Sequence, residues 1–243
     1  MASKDIAEDD LKENKHESSK PAEPALRQLI PDGDIMLLVG PEQEKIQISS
    51  HLLCKTSPVF KNMLNSDFEE GKAFRERNGA PAEIKLPDDS PETVYNAFGA
   101  LYGGEETVYH LTPEQVLDVA VLANKYCMVE RFTLAKSFWL RQDRGFSTKA
   151  TWNLMMAAYL FESYRDLFYY SNLLVTKKNS SLVRYASKTS DWVTGLKLCL
   201  AIEELRSRGK LKMGICLYCF DKVEASDLGF ADKHANCPFL LHK

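Results

Sequence analysis

The stretch Ile46–Leu64, IQISSHLLCKTSPVFKNML, changes its hydrophobic period in the middle and thereby decides the fold. Ile46 and Ile48 alternate with polar residues, which predicts a half-buried strand. Pro58 suits the first turn of a new helix because an N–H there would have no helical partner, and Ser57 can cap that helix. The stretch therefore predicts a strand that leads into two short helices with a capped joint between them.

The flanking sequence predicts the rest of a small sheet and further helices. Residues 35–39 are an apolar run, and residues 45–48 return after Gly40 and Pro41, which is typical of a hairpin. Residues 83–86 alternate as a third strand, whereas the charged residues 67–82 contain glycines and a proline and predict a loop. Three helices with apolar stripes are predicted to begin at Pro91, Pro113 and about Val129.

This order of elements, together with several short motifs, resembles the BTB/POZ domain. The motifs are Leu53 with Ser57-Pro58-Val59-Phe60, Leu86-Pro87-Asp88-Asp89-Ser90-Pro91-Glu92, Leu101-Tyr102-Gly103-Gly104 and Val121-Leu122-Ala123-Asn124-Lys125-Tyr126. The resemblance covers residues 33 to 141 and is nearest in character to fungal members of the family. It implies an α+β fold with a small three-stranded sheet and a helical cluster.

The chain is predicted to have four parts. Residues 1–30 are charged and contain few large apolar side chains, so they are expected to be a disordered tail. The BTB/POZ domain is assigned to residues 31–141. Helical stripes in residues 146–212 predict an all-α extension packed on that domain, and residues 213–243 form a tail rich in Cys and His.

Composition limits the environment and the partners of the protein. A hydrophobic fraction of 44% is ordinary for a globular domain, and no apolar run approaches the length of a membrane span. The net charge of -3 gives no overall attraction to nucleic acid or to a membrane. The first residues lack the apolar core of a secretory signal, so the six cysteines are expected to be reduced in an intracellular compartment, cytoplasmic or nuclear.

The sequence contains none of the common catalytic motifs. G-x-S-x-G, H-E-x-x-H, G-x-G-x-x-G and the Walker-type phosphate loop are all absent. His16, His51 and His110 are isolated in the sequence and are interpreted as surface or core residues. The chain is therefore predicted not to be an enzyme and to have no small-molecule substrate.

One group of residues has the spacing of a metal site. Cys216 and Cys219 form a C-x-x-C pair, and His234 and Cys237 form a second close pair fourteen residues later. Four nitrogen and sulfur ligands suit tetrahedral zinc, and a closed set of this kind predicts one structural zinc ion. The alternatives are a loose tail or a thiol pair without metal.

The resemblance implies a function in protein–protein interaction. Family members pair with themselves through the first strand and first helix, and many bind a cullin scaffold to recruit substrates for ubiquitination. Cullin-binding members often carry an apolar-x-Glu element after the second helix, which Phe68 and Glu70 match. Both residues are predicted to contact the partner, although Phe68 could instead close over the core.

The sequence departs from the family pattern at Ser49-Ser50, where many members have a basic residue. The resemblance places that residue beside the position of Asp34, so Asp34 is expected to lack its cation and to be exposed or hydrogen-bonded. This disfavours the corepressor-binding mode of transcription-factor members. An alternative function is a nuclear regulator whose zinc-stabilised tail contacts nucleic acid through Arg206 to Lys212, a segment that is otherwise a solvated helix end.

Overall fold

The computed structural model describes residues 26–142, 145–177, 181–210, 213–223, 229–230, 232–234 and 236–238. In these residues one sheet is present, in the order β1-β3-β2-β4. Its strands are β1 (Leu26–Gln28), β2 (Ile35–Val39), β3 (Glu44–Ile48) and β4 (Ala82–Leu86). The hairpin β2–β3 is antiparallel, and the two outer strands pair in parallel with their neighbours.

The sheet has four strands rather than the predicted three, and order begins before residue 30. Strand β1 pairs with β3, and the Leu29 N–H donates to the Gln47 carbonyl at 3.1 Å. Leu26 is 50% exposed, so the strand depends on backbone pairing more than on burial. Backbone pairing cannot be recognised from amino-acid composition. Residues 26–30 were therefore assigned to the disordered tail, because their composition is similar to that of the residues before them. The rest of the predicted disordered tail lies outside the described residues.

Six helices complete this part of the chain, and the third and fourth of them contact the sheet. Three of them begin at the predicted caps Ser57, Ser90 and Thr112, and Thr112 and Gln115 form the predicted capping box. A short 3-10 turn precedes the last of the six, at Val129–Phe132. The helices are α1 (Ser50–Thr56), α2 (Pro58–Asn65), α3 (Glu69–Glu76), α4 (Pro91–Tyr102), α5 (Pro113–Lys125) and α6 (Thr133–Trp139).

Helix α3 lies where the sequence predicted a loop. Gly71 suggested a break in regular structure, but it is a position of close packing inside this helix. A Cβ atom at Gly71 would lie 2.1 Å from the Ser66 carbonyl oxygen, so only glycine allows this approach. The loop prediction for residues 67–82 was therefore wrong over half of its length.

The C-terminal helices share one hydrophobic core with the preceding domain. They are α7 (Thr148–Leu160), α8 (Tyr164–Thr176), α9 (Val183–Ala186), α10 (Trp192–Ser207) and α11 (Leu217–Lys222). Helix α7 packs between α5 and α8. Phe132, Trp139 and Phe161 form an aromatic cluster across the junction, with ring centroids 5.7 to 6.0 Å apart. Within the described ranges, no helix is both long and apolar enough to cross a membrane.

Candidate functional site

An exposed aromatic side chain marks the turn between α2 and α3. Phe68 precedes the first turn of α3 and is 70% exposed. Its ring does not close over the core, so the alternative interpretation of this residue is wrong. Beside it lies an open groove of about 690 Å³, which we name the α2–α3 groove. The groove is lined by Val59, Asn62, Met63, Ser66, Phe68, Glu69 and Glu70.

Hydrogen bonds fix the backbone that presents Phe68. The Phe68 N–H donates to the Ser66 hydroxyl at 3.3 Å, and Arg75 donates to the Ser66 carbonyl at 2.8 Å. Glu69 and Glu70 occupy the first turn of α3, where the helix dipole favours negative charge. Neither carboxylate has an ion-pair partner among the residues that the structure describes. The α2–α3 groove therefore combines an exposed aromatic ring with two free carboxylates.

Asp34 does not lack a cation, contrary to the prediction. Its carboxylate accepts hydrogen bonds from the Ser50 N–H at 2.7 Å and the Ser50 hydroxyl at 2.8 Å. The Arg77 guanidinium lies 3.2 Å away and supplies the positive charge from beyond α3. The prediction of hydrogen bonding at Asp34 was right. The cation was missed because it is 43 residues distant in sequence.

The pKa of Asp34 follows from these contacts. Partial burial alone would raise the pKa of the carboxyl, but the two hydrogen bonds from Ser50 and the charge of Arg77 lower it overall. Ser49 has a separate role, because its hydroxyl accepts a hydrogen bond from the His51 N–H and caps α1. At the position where the family pattern has a basic residue, Ser50 thus binds Asp34 by hydrogen bonds, and Ser49 caps α1.

Three cysteines of the C-terminal segment come together. The Sγ atoms of Cys216, Cys219 and Cys237 all lie within 4.8 Å of one another, and those of Cys216 and Cys237 are 3.6 Å apart. Four sulfur ligands at 2.3 Å around a tetrahedral zinc ion would be separated by about 3.8 Å. The cluster therefore has the donor type and the spacing that a soft divalent cation requires.

Helix α8 fixes the chain as it enters this cluster. The Ile215 N–H donates to the buried Ser171 hydroxyl at 2.7 Å. A Cβ atom at Gly214 would lie 1.9 Å from the Phe168 carbonyl oxygen, so glycine permits the close approach. The first two thiols are thus held against the core, and the third arrives from the end of the chain.

His234 is not brought into the cluster as a ligand. Its backbone N–H donates to Cys219 Sγ at 3.3 Å, and its Nδ1 atom accepts a hydrogen bond from the Asn236 N–H. Burial raises the pKa of Cys216 to about 12 and also raises that of Cys219. A cation would have to displace the thiol protons, as metal binding to cysteine does.

Two arginines at the end of α10, Arg206 and Arg208, make contacts with other parts of the chain. Arg206 donates to the carbonyl oxygens of Leu174 at 2.6 Å and Lys177 at 2.8 Å. Arg208 forms ion pairs with Glu204 and Asp232. Arg206, which is also paired with Glu203, is thus held inside the molecule, whereas Arg208 is paired with two carboxylates and remains exposed. Residues 211 and 212 of the predicted basic segment lie outside the described residues.

Comparison with known proteins agrees with this architecture. Residues 27–142 match the family model described as the BTB/POZ domain. The chain contains a BTB/POZ domain. No curated protein matches the chain. The α+β fold and the resemblance inferred from the sequence are thereby confirmed.

The BTB/POZ domain runs from β1 to the end of α6, whereas helices α7 to α11 lie beyond the match. BTB domains are interaction modules and are generally non-enzymatic. The α2–α3 groove lies within the domain, and the cysteine cluster lies outside it. The two candidate sites can therefore be considered independently.

The hydrogen bonds to Asp34 predict a pH-dependent effect of Ser50→Ala. A lowered folded-state pKa means that the ionised Asp34 stabilises the fold above its unfolded pKa of about 3.9, and this contribution is lost as the pH falls through the folded value. Since Asp34 is partly exposed, we expect Ser50→Ala to lower the free energy of unfolding by about 1 kcal/mol at pH 7. The loss should shrink below about pH 4.

Urea unfolding at pH 7 and pH 3 checks this expectation. Ser187→Ala is the matched control, because Ser187 is exposed and its hydroxyl makes no hydrogen bond within the described ranges. The control should show no pH-dependent difference from wild type. An equal loss for Ser50→Ala at both pH values would contradict the role assigned to Asp34.

Proposed function

We propose that this protein is a non-enzymatic adaptor whose BTB/POZ domain binds a cullin-type scaffold through the α2–α3 groove. The observation that carries the proposal is the 70% exposure of Phe68 beside that groove. Large aromatic side chains at the centre of an interface are frequent sources of binding energy. Phe68 would enter an apolar pocket of the scaffold, and Glu69 and Glu70 would face basic residues around it.

Self-association is the second part of the proposal. Strand β1 pairs with β3 on one side and forms the edge of the sheet, where unpaired backbone groups favour strand addition. On helix α1, which follows β3, His51 and Lys55 are exposed and Leu52 is half-buried. An open sheet edge and a half-apolar helix support pairing of two copies, as the family resemblance implies.

We further propose that the cysteine cluster binds one structural zinc ion. Cys216, Cys219 and Cys237 would supply three thiolates, and the zinc would neutralise charges that burial disfavours. His234 is the fourth ligand that the sequence predicts. Its backbone N–H orients Cys219 in the present geometry, and His242 lies outside the described residues. The ion would join the end of the chain to the segment that packs on α8.

Substitution of Phe68 and Glu70 tests the adaptor role. We expect the double variant Phe68→Ala/Glu70→Ala to lose co-purification with a cullin, because it removes the exposed ring and one free carboxylate. A loss of about tenfold or more in recovered scaffold is expected for an aromatic residue at the centre of an interface. The measurement is quantitative affinity purification of the full chain followed by detection of the cullin.

The matched control is Leu134→Ala/Glu130→Ala on another surface. Leu134 is 68% exposed, so this variant removes a comparable apolar side chain and one carboxylate. It should recover the cullin as the wild type does. If the wild-type chain recovers no cullin, or if both double variants lose it equally, the adaptor role is wrong.

Elemental analysis tests the zinc site. Protein purified without chelator should contain about one zinc ion per chain, and Cys219→Ser should lower this content severalfold because one thiolate is missing. Cys127→Ser is the control, since Cys127 is exposed and lies outside the cluster. We expect His234→Ala to keep its zinc because the orienting N–H belongs to the backbone. A metal-free wild type would contradict the site, and zinc loss in His234→Ala would restore the sequence-predicted ligand set.

A further inference from the structure

One side of helix α10 is apolar although it is exposed to solvent. Trp192 is 58% exposed, Val193 43% and Leu200 59%, and Leu196 between them is half-buried. In a helix of about 3.6 residues per turn, positions i, i+1, i+4 and i+8 fall on one side. We name these four residues the α10 stripe. The stripe shares no residue with the α2–α3 groove or with the cysteine cluster.

The opposite side of α10 belongs to the core, so the helix is apolar on both sides. Its buried residues are Gly195, Leu198, Cys199, Ala201, Ile202 and Leu205. A surface helix usually carries polar side chains away from the core, whereas a helix that is apolar all round is covered on both sides. Contiguous exposed apolar side chains mark interaction sites in soluble proteins, unlike single ones. Another apolar surface is therefore expected to cover the stripe.

The spacing of the stripe makes it complementary to itself. Trp192 and Leu200 lie at equal distances before and after Leu196, each about 6 Å away along the helix axis. In a symmetric pair, a contact made by one copy is repeated by the other. A two-fold axis at Leu196, with two antiparallel α10 helices, therefore places Trp192 of each copy against Leu200 of the other. A large ring then packs on a smaller aliphatic side chain at both ends of the contact.

The charged side chains at the two ends of the stripe favour the antiparallel orientation. Glu203 follows the stripe on the same side of α10, and its side chain is 47% exposed beside Arg206. Before the stripe, Lys188 is exposed and has no ion pair among the described residues, whereas Asp191 caps α10 and interacts with Lys197. Antiparallel copies bring Glu203 of one towards Lys188 of the other. Parallel copies would instead bring two Glu203 carboxylates together, which is unfavourable.

We propose that the α10 stripe binds the α10 stripe of a second copy of this chain, with the two helices antiparallel. The four side chains of each copy cover less than a standard interface of about 1,600 Å² in total, so the pairing is weak and depends on protein concentration. The contact is independent of the proposed pairing through β1 and α1, because it uses a different surface. Where both contacts form, they join more than two copies.

Cysteine cross-linking of the full chain tests the pairing and its direction. The parent is Cys127→Ser, which lacks the exposed native cysteine and supplies the background level of cross-linking. In this parent, Leu196→Cys should give a covalent dimer on oxidation with copper phenanthroline, because the two residues meet at the two-fold axis. Ser207→Cys is the matched control on the same side of α10. Antiparallel copies hold its two thiols about 33 Å apart, so it should give no dimer above background.

Sedimentation velocity over a range of protein concentrations measures the strength of the contact. Trp192→Ala/Leu200→Ala should weaken association by about tenfold or more, because both large side chains of the stripe are removed. Tyr102→Ala/Leu134→Ala removes an exposed aromatic and an exposed leucine elsewhere, and it should associate as the wild type does. The proposal is overturned if Leu196→Cys gives no more dimer than its parent, if Ser207→Cys gives as much, or if the stripe variant associates like the wild type.

Discussion

A single serine joins the two short helices to the rest of the molecule. The Ser57 hydroxyl accepts a hydrogen bond from the Phe60 N–H at 3.2 Å, which caps α2, and donates to the Tyr126 carbonyl at 2.7 Å. Phe60 stacks on the Tyr126 ring at 4.5 Å, and the Tyr126 hydroxyl donates to Asp89 at 2.5 Å. The start of α2, the end of α5 and the turn before α4 therefore meet at this buried group. The position of the α2–α3 groove follows from where Ser57 places α2.

The same end of α5 leads into the C-terminal helices. The Tyr170 hydroxyl of α8 donates to the Arg141 carbonyl at 2.8 Å, and Lys136 of α6 donates to the Phe161 carbonyl at 3.3 Å. These bonds surround the aromatic cluster at the junction, and the apolar core is continuous across it. Because α7 packs directly on α5, the core does not divide where the BTB/POZ domain ends.

The sequence predicted what depends on local patterns and missed what depends on distant contacts. Capped helix starts and apolar stripes indicated α4 and α5, because a cap and a 3.6-residue period are visible within one element. Strand β1 and the helical position of Gly71 depend on close backbone approach, which leaves no compositional signal. Arg77 was missed for the same reason, since nothing in its neighbourhood points to Asp34.

The candidate sites divide in the same way. Phe68 is exposed, and three of the four predicted metal ligands lie together. Short motifs in the sequence pointed to both features, because each motif lies within one or two short segments. The predicted place of His234 in the cluster depended on spacing alone, and spacing does not fix which atom of a residue faces a metal.

The Ser57 contacts hold the α1–α2 pair to the shared core. Chemical unfolding of Ser57→Ala, compared with Ser187→Ala, measures their contribution to stability. Loss of the cap and of a buried hydrogen bond should lower the free energy of unfolding by about 2 kcal/mol. The control should stay within about 0.5 kcal/mol of wild type. A Ser57→Ala chain as stable as the control would contradict the claim.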